Sequence, residues 1–178
     1  MALVTTKEML KKAQKERYAV GAFNANNMEI VQAIIETAEE EKAPVILQAS
    51  QGAIKYAGLD SIVAMVKVMA EKASIPVALH LDHGTDYYQN IKCLRAGFTS
   101  LMFDGSKLPF EENVKMTRKV VEMAHACDIP VEAELGQIGK RFYLGLKSLL
   151  LMQMLVVGLY PHDSRQPPLY TFLYPLLH

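Results

Sequence analysis

From Tyr18 to Gly136 one pattern recurs: a short apolar run, followed after each of the first four by a stretch with helical amphipathicity. The apolar runs are YAVGAFN (18–24), PVILQAS (44–50), VALHLD (77–82), SLMFDG (100–105) and PVEAELG (130–136). Each is short and bounded by Gly, Pro or polar residues, as expected of strands covered on both faces. Helical patterns occupy 28–42, 59–73, 86–96 and 111–127. In the first, Ile30, Ala33, Ile34 and Ala38 are expected to share the buried face, opposite the acids. Asn26 and Asn27 are its candidate N-caps, and Pro44 follows its end. Strand starts lie 23 to 33 residues apart, which predicts consecutive βα units and a parallel sheet. An open doubly wound sheet and part of a barrel both satisfy this. GAFNANN lacks the G-x-G-x-x-G spacing of a dinucleotide loop, which disfavours the first.

Charge narrows the partners. Nineteen Lys and Arg balance 19 Asp and Glu, so no basic surface suggests nucleic acid or an anionic membrane. Cys93 and Cys127 lack metal-knuckle spacing and are expected to be buried, reduced thiols. The first 20 residues are charged throughout and have no apolar core of a signal peptide, so a cytoplasmic protein is expected. The composition changes near Lys140. Residues 141–178 hold 11 leucines, four prolines and one acid, Asp163, whereas residues 1–140 hold the other 18 acids. Two segments are therefore expected, 1–139 and 140–178. In the second, the 12 uncharged residues from Leu149 to Tyr160 fall short of the roughly 20 that span a bilayer.

The predicted strands end in polar groups: Asn24, Ser50, His80, Asp82 with His83 beyond it, Asp104, Glu132 and Glu134. Barrel and doubly wound enzymes place their sites at these strand ends. Ser50 or Asp104 alone would suit a helix cap, and His80 with His83 would suit a buried hydrogen-bonded pair. Five such ends in succession favour a shared site. In LHLDHG (79–84), His80 and Asp82 share a strand face while His83 starts the loop. Neutral imidazoles are zinc ligands, and a neighbouring carboxylate can exchange a proton beside the metal. His125 lies within a helical pattern and reads as an ordinary helix residue.

SIPVALHLDHGT (74–85) and VEAELGQIG (131–139) resemble the first signature and the start of the second signature of class II fructose-bisphosphate aldolases. Residues 18–58 and 100–114 resemble the same family, so the likeness covers about 1–139. It implies a (β/α)8 TIM barrel, incomplete here, with five strands recognisable. It also implies reversible cleavage of fructose 1,6-bisphosphate to dihydroxyacetone phosphate and glyceraldehyde 3-phosphate. The implied partners are a sugar phosphate, zinc at two sites and a second copy of the chain. By position, His83 matches a ligand of the active zinc, and Asp82 matches the acid/base serving the aldehyde oxygen. Asp104 and Glu134 match ligands of a second metal, and Ser50 matches a contact to the glyceraldehyde 3-phosphate portion. His80 matches a neighbouring active-site histidine. A closely similar group cleaves tagatose 1,6-bisphosphate and shares these motifs.

After Gly139 the sequence reads Lys140-Arg141-Phe142-Tyr143, where the family continues through Gly-Gly into acids. The family's two further zinc histidines, its glycine-rich phosphate loops and its proton-abstracting acid have no matching motif here. His162 and His178 stand in other contexts. A reading-frame shift or truncation near residue 140 is the expected origin, and the implied zinc site is incomplete. Three readings stay open: a fructose-bisphosphate aldolase, a tagatose-bisphosphate aldolase, or a non-catalytic remnant.

Overall fold

A computed structural model describes residues 3–136. The end of the second signature, the 140–178 segment, His162 and His178 lie outside the described residues.

The order is α1 (Thr6–Glu16), β1 (Gly21–Asn24), α2 (Met28–Glu40), β2 (Val45–Ser50), α3 (Gln51–Ala57), α4 (Leu59–Lys72), β3 (Val77–Asp82), α5 (Tyr87–Ala96), β4 (Leu101–Asp104), α6 (Phe110–His125) and β5 (Val131–Glu134). β1 pairs with β2, β2 with β3 and β4 with β5, all parallel. β3 reaches β4 through parallel bridges at His80–Ser100 and Gly84–Phe103. The Leu81 N–H donates to the Ser100 carbonyl across this seam at 3.0 Å. Spatial order therefore follows chain order. A doubly wound sheet reverses direction at a switch point; this arc does not, and it is part of a parallel (β/α) barrel.

The strands alternate between two environments. Leu47, Leu79, Leu81, Leu101, Phe103 and Val131 are buried in one core with Val31 and Ile35 of α2, Ile62 and Val66 of α4, and Val120 of α6. Each such side chain taken fully out of water contributes about 1.5–3 kcal/mol. The alternate residues turn the other way. Near the strand starts, Ile46 and Ala78 form a second cluster with Met9 of α1. The Val4 N–H donates to the Val77 carbonyl at 2.9 Å, tying the approach to α1 to β3. α1 thus covers the N-terminal end of the site-facing side and leaves the C-terminal strand ends open.

Several sequence expectations need correction. Four helical patterns were expected over these residues; α1 and α3 are additional. α1 is too rich in lysine and glutamate to announce a face, burying only Thr6, Met9 and Ala13. α3 is seven residues long, too short for a period to show. In α2 the buried stripe is Val31, Ile35 and Ala38, while Ile30 and Ala33 are exposed. Two overlapping stripes of that helix are apolar. The Asn27 side chain caps the helix, accepting from the Ile30 N–H at 2.9 Å, and packing against the sheet buries the stripe of Val31, Ile35 and Ala38. Cys93 is buried in α5, but Cys127 is exposed in the turn after α6.

Candidate active site

The five strand ends converge. Register sets Asn24 beside Gln48, Gln48 beside His80 and Ser50 beside Asp82. It likewise sets Asp104 beside Glu134 and Met102 beside Glu132. With residues two apart on a strand facing the same way, these groups form one surface at the open end of the arc, polar apart from Met102.

His83 is the focus. Its Nδ1 lies 2.9 Å from Asp104 Oδ2 and 3.4 Å from Glu134 Oε2, and its Nε2 lies 3.9 Å from Asp82 Oδ1. Among the described residues, His83, Asp104 and Glu134 bring one ligand atom each within 4.8 Å of one another. The imidazole is half exposed, whereas Asp104 and Glu134 are 11% and 7% exposed at the side chain, so the carboxylates form the floor. Glu134 Oε2 is buried without a hydrogen-bond partner among the described residues. An ionised oxygen left so is costly, and a divalent cation would satisfy it. One imidazole nitrogen and carboxylate oxygens suit zinc. The donor set fits a metal.

The charges respond to one another. Burial alone would draw the His83 imidazole down, but the Asp104 hydrogen bond and the charges of Asp82, Asp104 and Glu134 raise it above its ordinary range. Burial likewise opposes ionisation of Asp104. Hydrogen bonds from Ser106 and His83 reverse that and hold its carboxyl low. Burial raises Asp82, helped by Asp104 and opposed by His83. Burial and the Asp104 charge raise Glu134.

Asp82 is held from the side. Gln48 Nε2 donates to Asp82 Oδ2 at 3.3 Å and to Asn24 Oδ1 at 3.1 Å. Ser50 caps α3, its Oγ accepting from the Ala53 N–H at 3.2 Å. That bond leaves the hydroxyl proton free to donate. Ser50, Asn24, Ile30, Tyr56 and Asp82 line a cleft of about 500 Å³ beside the His83 cluster. Asp104 does not cap α6; it accepts from the Ser106 N–H at 3.0 Å and remains in the cluster.

His80 takes a different place. It does not pair with His83. Its Nδ1 lies 2.8 Å from Ser100 Oγ and its Nε2 lies 3.5 Å from Glu132 Oε2. Thr6 Oγ1 of α1 donates to Ser100 Oγ at 3.0 Å. Burial, then the nearby His83, lowers the His80 imidazole to about 4. Burial, then the Asp82 charge, raises Glu132 to about 7; its side chain is 32% exposed, and water there softens the cost of ionisation. Gln48 and Ser100, which sequence reading missed, join the site through strand pairing, and Gln51 joins through its bond to the His83 carbonyl. The visible signal was a glutamine inside an apolar run.

The fold and site thus define a βα-barrel protein with an imidazole–carboxylate centre at the C-terminal ends of its strands. Residues 4–149 match the family described as "Fructose-bisphosphate aldolase class-II". The fructose-bisphosphate aldolase of Thermus caldophilus is 56% identical over 136 residues, 76% of this chain and 44% of its own. That of Geobacillus stearothermophilus is 54% identical over 142 residues, 78% of this chain and 50% of its own. Among solved structures, the YdjI aldolase of Escherichia coli K12 superposes with a TM-score of 0.73 at 36% identity, covering 76% of this chain and 52% of that one. The protein belongs to the class II fructose-bisphosphate aldolase family. The chain spans about half the length of the curated relatives it matches.

Proposed function

We propose that this arc is the metal- and acid-bearing part of a ketose-bisphosphate aldolase, cleaving fructose 1,6-bisphosphate reversibly to dihydroxyacetone phosphate and glyceraldehyde 3-phosphate. The observation that carries this reading is the convergence of His83, Asp104 and Glu134 with Asp82 at their edge. In it, His83 holds the active-site zinc, and Asp104 and Glu134 hold a second ion. When bound, zinc supplies a Lewis acid for the substrate carbonyl.

This chain's own groups do the rest. Asp82 takes the proton from the C4 hydroxyl during cleavage and returns it to the aldehyde oxygen during condensation. Its carboxyl stands above the ordinary range through burial, which suits a group that must both accept and release a proton. Gln48 fixes one carboxylate oxygen, leaving the other toward His83. Ser50 presents its hydroxyl proton to the glyceraldehyde 3-phosphate portion in the adjoining cleft.

The test is zinc content per chain and cleavage of fructose 1,6-bisphosphate with and without a chelator, for the parent chain and Asp82→Asn. Expected are zinc bound to the chain, any turnover abolished by the chelator, and in Asp82→Asn that turnover lowered about 10²–10⁴-fold with zinc retained. Cleavage that survives chelation, or a chain that neither binds zinc nor cleaves, overturns the reading.

A further inference from the structure

The turn that carries His83 is strained. His83 has φ +50°, in the left-handed region that residues with a Cβ seldom occupy. The next residue leaves no slack: a Cβ on Gly84 would stand 2.6 Å from the Met102 carbonyl oxygen and 2.6 Å from Leu81 Cδ2. The Asp104 N–H donates to the Gly84 carbonyl at 3.0 Å, clamping the far side of the turn to β4. On the near side the His83 N–H reaches only the weak acceptor Met102 Sδ, at 3.3 Å. Its carbonyl is held more strongly. Gln51, the first residue of α3, donates from Nε2 to the His83 carbonyl oxygen at 2.9 Å and to Thr85 Oγ1 at 2.9 Å. A carbonyl only accepts, so the amide must present its NH₂ here.

We propose that Gln51 is a positioning residue: its NH₂ group locks the left-handed turn that aims the His83 imidazole at Asp104 and Glu134. The inference rests on the reading of His83 as a metal ligand. Gln51 touches neither the cluster nor the cleft chemistry. It acts through the main chain of His83, linking the Ser50-capped start of α3 to the metal centre across 32 residues of sequence. Without it the imidazole must be ordered at the moment a metal binds, and that ordering is subtracted from the affinity.

The experiment compares the full 178-residue chain with Gln51→Ala, Gln51→Glu and His83→Ala. Gln51→Glu keeps the size and removes the donor facing the carbonyl. Three quantities are read: zinc affinity by competition with a chromophoric chelator, melting midpoint without metal, and amide exchange over 82–86 without metal. Both Gln51 variants are expected to bind zinc about 10-fold or more weakly. They should exchange faster over 82–86 and melt, metal-free, where the parent melts. His83→Ala should lose the site. Parent-like zinc affinity in both Gln51 variants, with His83→Ala still deficient, overturns the positioning role and leaves the metal reading intact. A lowered metal-free melting midpoint matching the affinity loss makes the role merely structural and also overturns it. If His83→Ala binds zinc like the parent, or the parent binds none, the metal reading fails and the proposal falls with it.

Discussion

His80 and Glu132 face each other across 3.5 Å, and their environments push them in opposite directions on the pH axis. The folded imidazole is lowered from 6.5 to about 4, so between those values the unfolded chain takes up a proton that the folded chain refuses. Its stabilising contribution is complete above pH 6.5 and is lost as the pH falls through 4. The folded Glu132 carboxyl is raised from 4.5 to about 7, so it keeps a proton that the unfolded chain releases. Its contribution is complete below 4.5 and is lost as the pH rises through 7. The two slopes oppose between about 4.5 and 6.5, with one proton shared by the pair. Glu132→Gln should unmask the His80 slope. Relative to Glu132→Gln/His80→Gln, it should lose about 3 kcal/mol of unfolding free energy between pH 7 and pH 4. Urea titrations at pH 4, 5.5 and 7 measure this; a difference that stays flat with pH would refute it. Asp82, His83, Asp104 and Glu134 could be picked out in the sequence because ionisable side chains are out of place at the tips of apolar strands. Gln48, Gln51 and Ser100 could not, because their importance comes from neighbours 20 to 34 positions away that only strand pairing reveals.

The elements most legible beforehand were those whose period is enforced by burial. All five strands were expected, and α4, α5 and α6 begin within a residue of their expected starts, because each buries a broad stripe under or over the sheet. α1 and α3 lacked that signal for different reasons, one through its charge density and the other through its length. α2 shows the finer limit: two apolar stripes compete, and packing against the sheet selects the one that holds Val31, Ile35 and Ala38. The Asn27 cap holds the start of that helix, so Asn27→Ala should cost about 1 kcal/mol, read as a lower urea midpoint with unchanged slope. A midpoint equal to the parent's would mean that the cap adds nothing to stability. Ile30, on the outward stripe, lines the cleft beside Ser50 instead of joining the core.

The protein as a whole gains from bringing its acids together only if something neutralises them. Asp82, Asp104, Glu132 and Glu134 all crowd His83, and burial or mutual repulsion raises three of the four carboxyls. A cation that binds the folded chain alone stabilises it by mass action, about 2.7 kcal/mol at a hundredfold excess over its dissociation constant. Zinc should therefore raise the melting midpoint, and the increment should fall in Asp104→Asn/Glu134→Gln, which keeps His83 but removes the carboxylates of the second site. An equal zinc shift in that double variant would place the metal elsewhere. A parallel sheet was visible in the run of βα units, while the barrel was implied only by the family resemblance. The absence of a switch point was not visible, because strand order is a property of pairing that no local pattern encodes. Among the described residues no helix is long and apolar enough to cross a membrane.

The parallel register has one more effect, and it is arithmetical. Position 21 stands beside 45 and 77, 80 beside 100 and 101 beside 131, so within the strands odd numbers share one side and even numbers the other, and only past the end of β3 does the Gly84–Phe103 bridge break the rule. Leu47, Leu79, Phe103 and Val131 are odd; Gln48, Ser50, His80, Asp82, Asp104, Glu132 and Glu134 are even. Nearer the strand starts Ile46 and Ala78 are even and buried too. Toward the C-terminal strand ends the digit of a variant tells a geneticist which kind of harm to look for: scarcity of the polypeptide from the odd positions, an abundant but impaired polypeptide from the even ones.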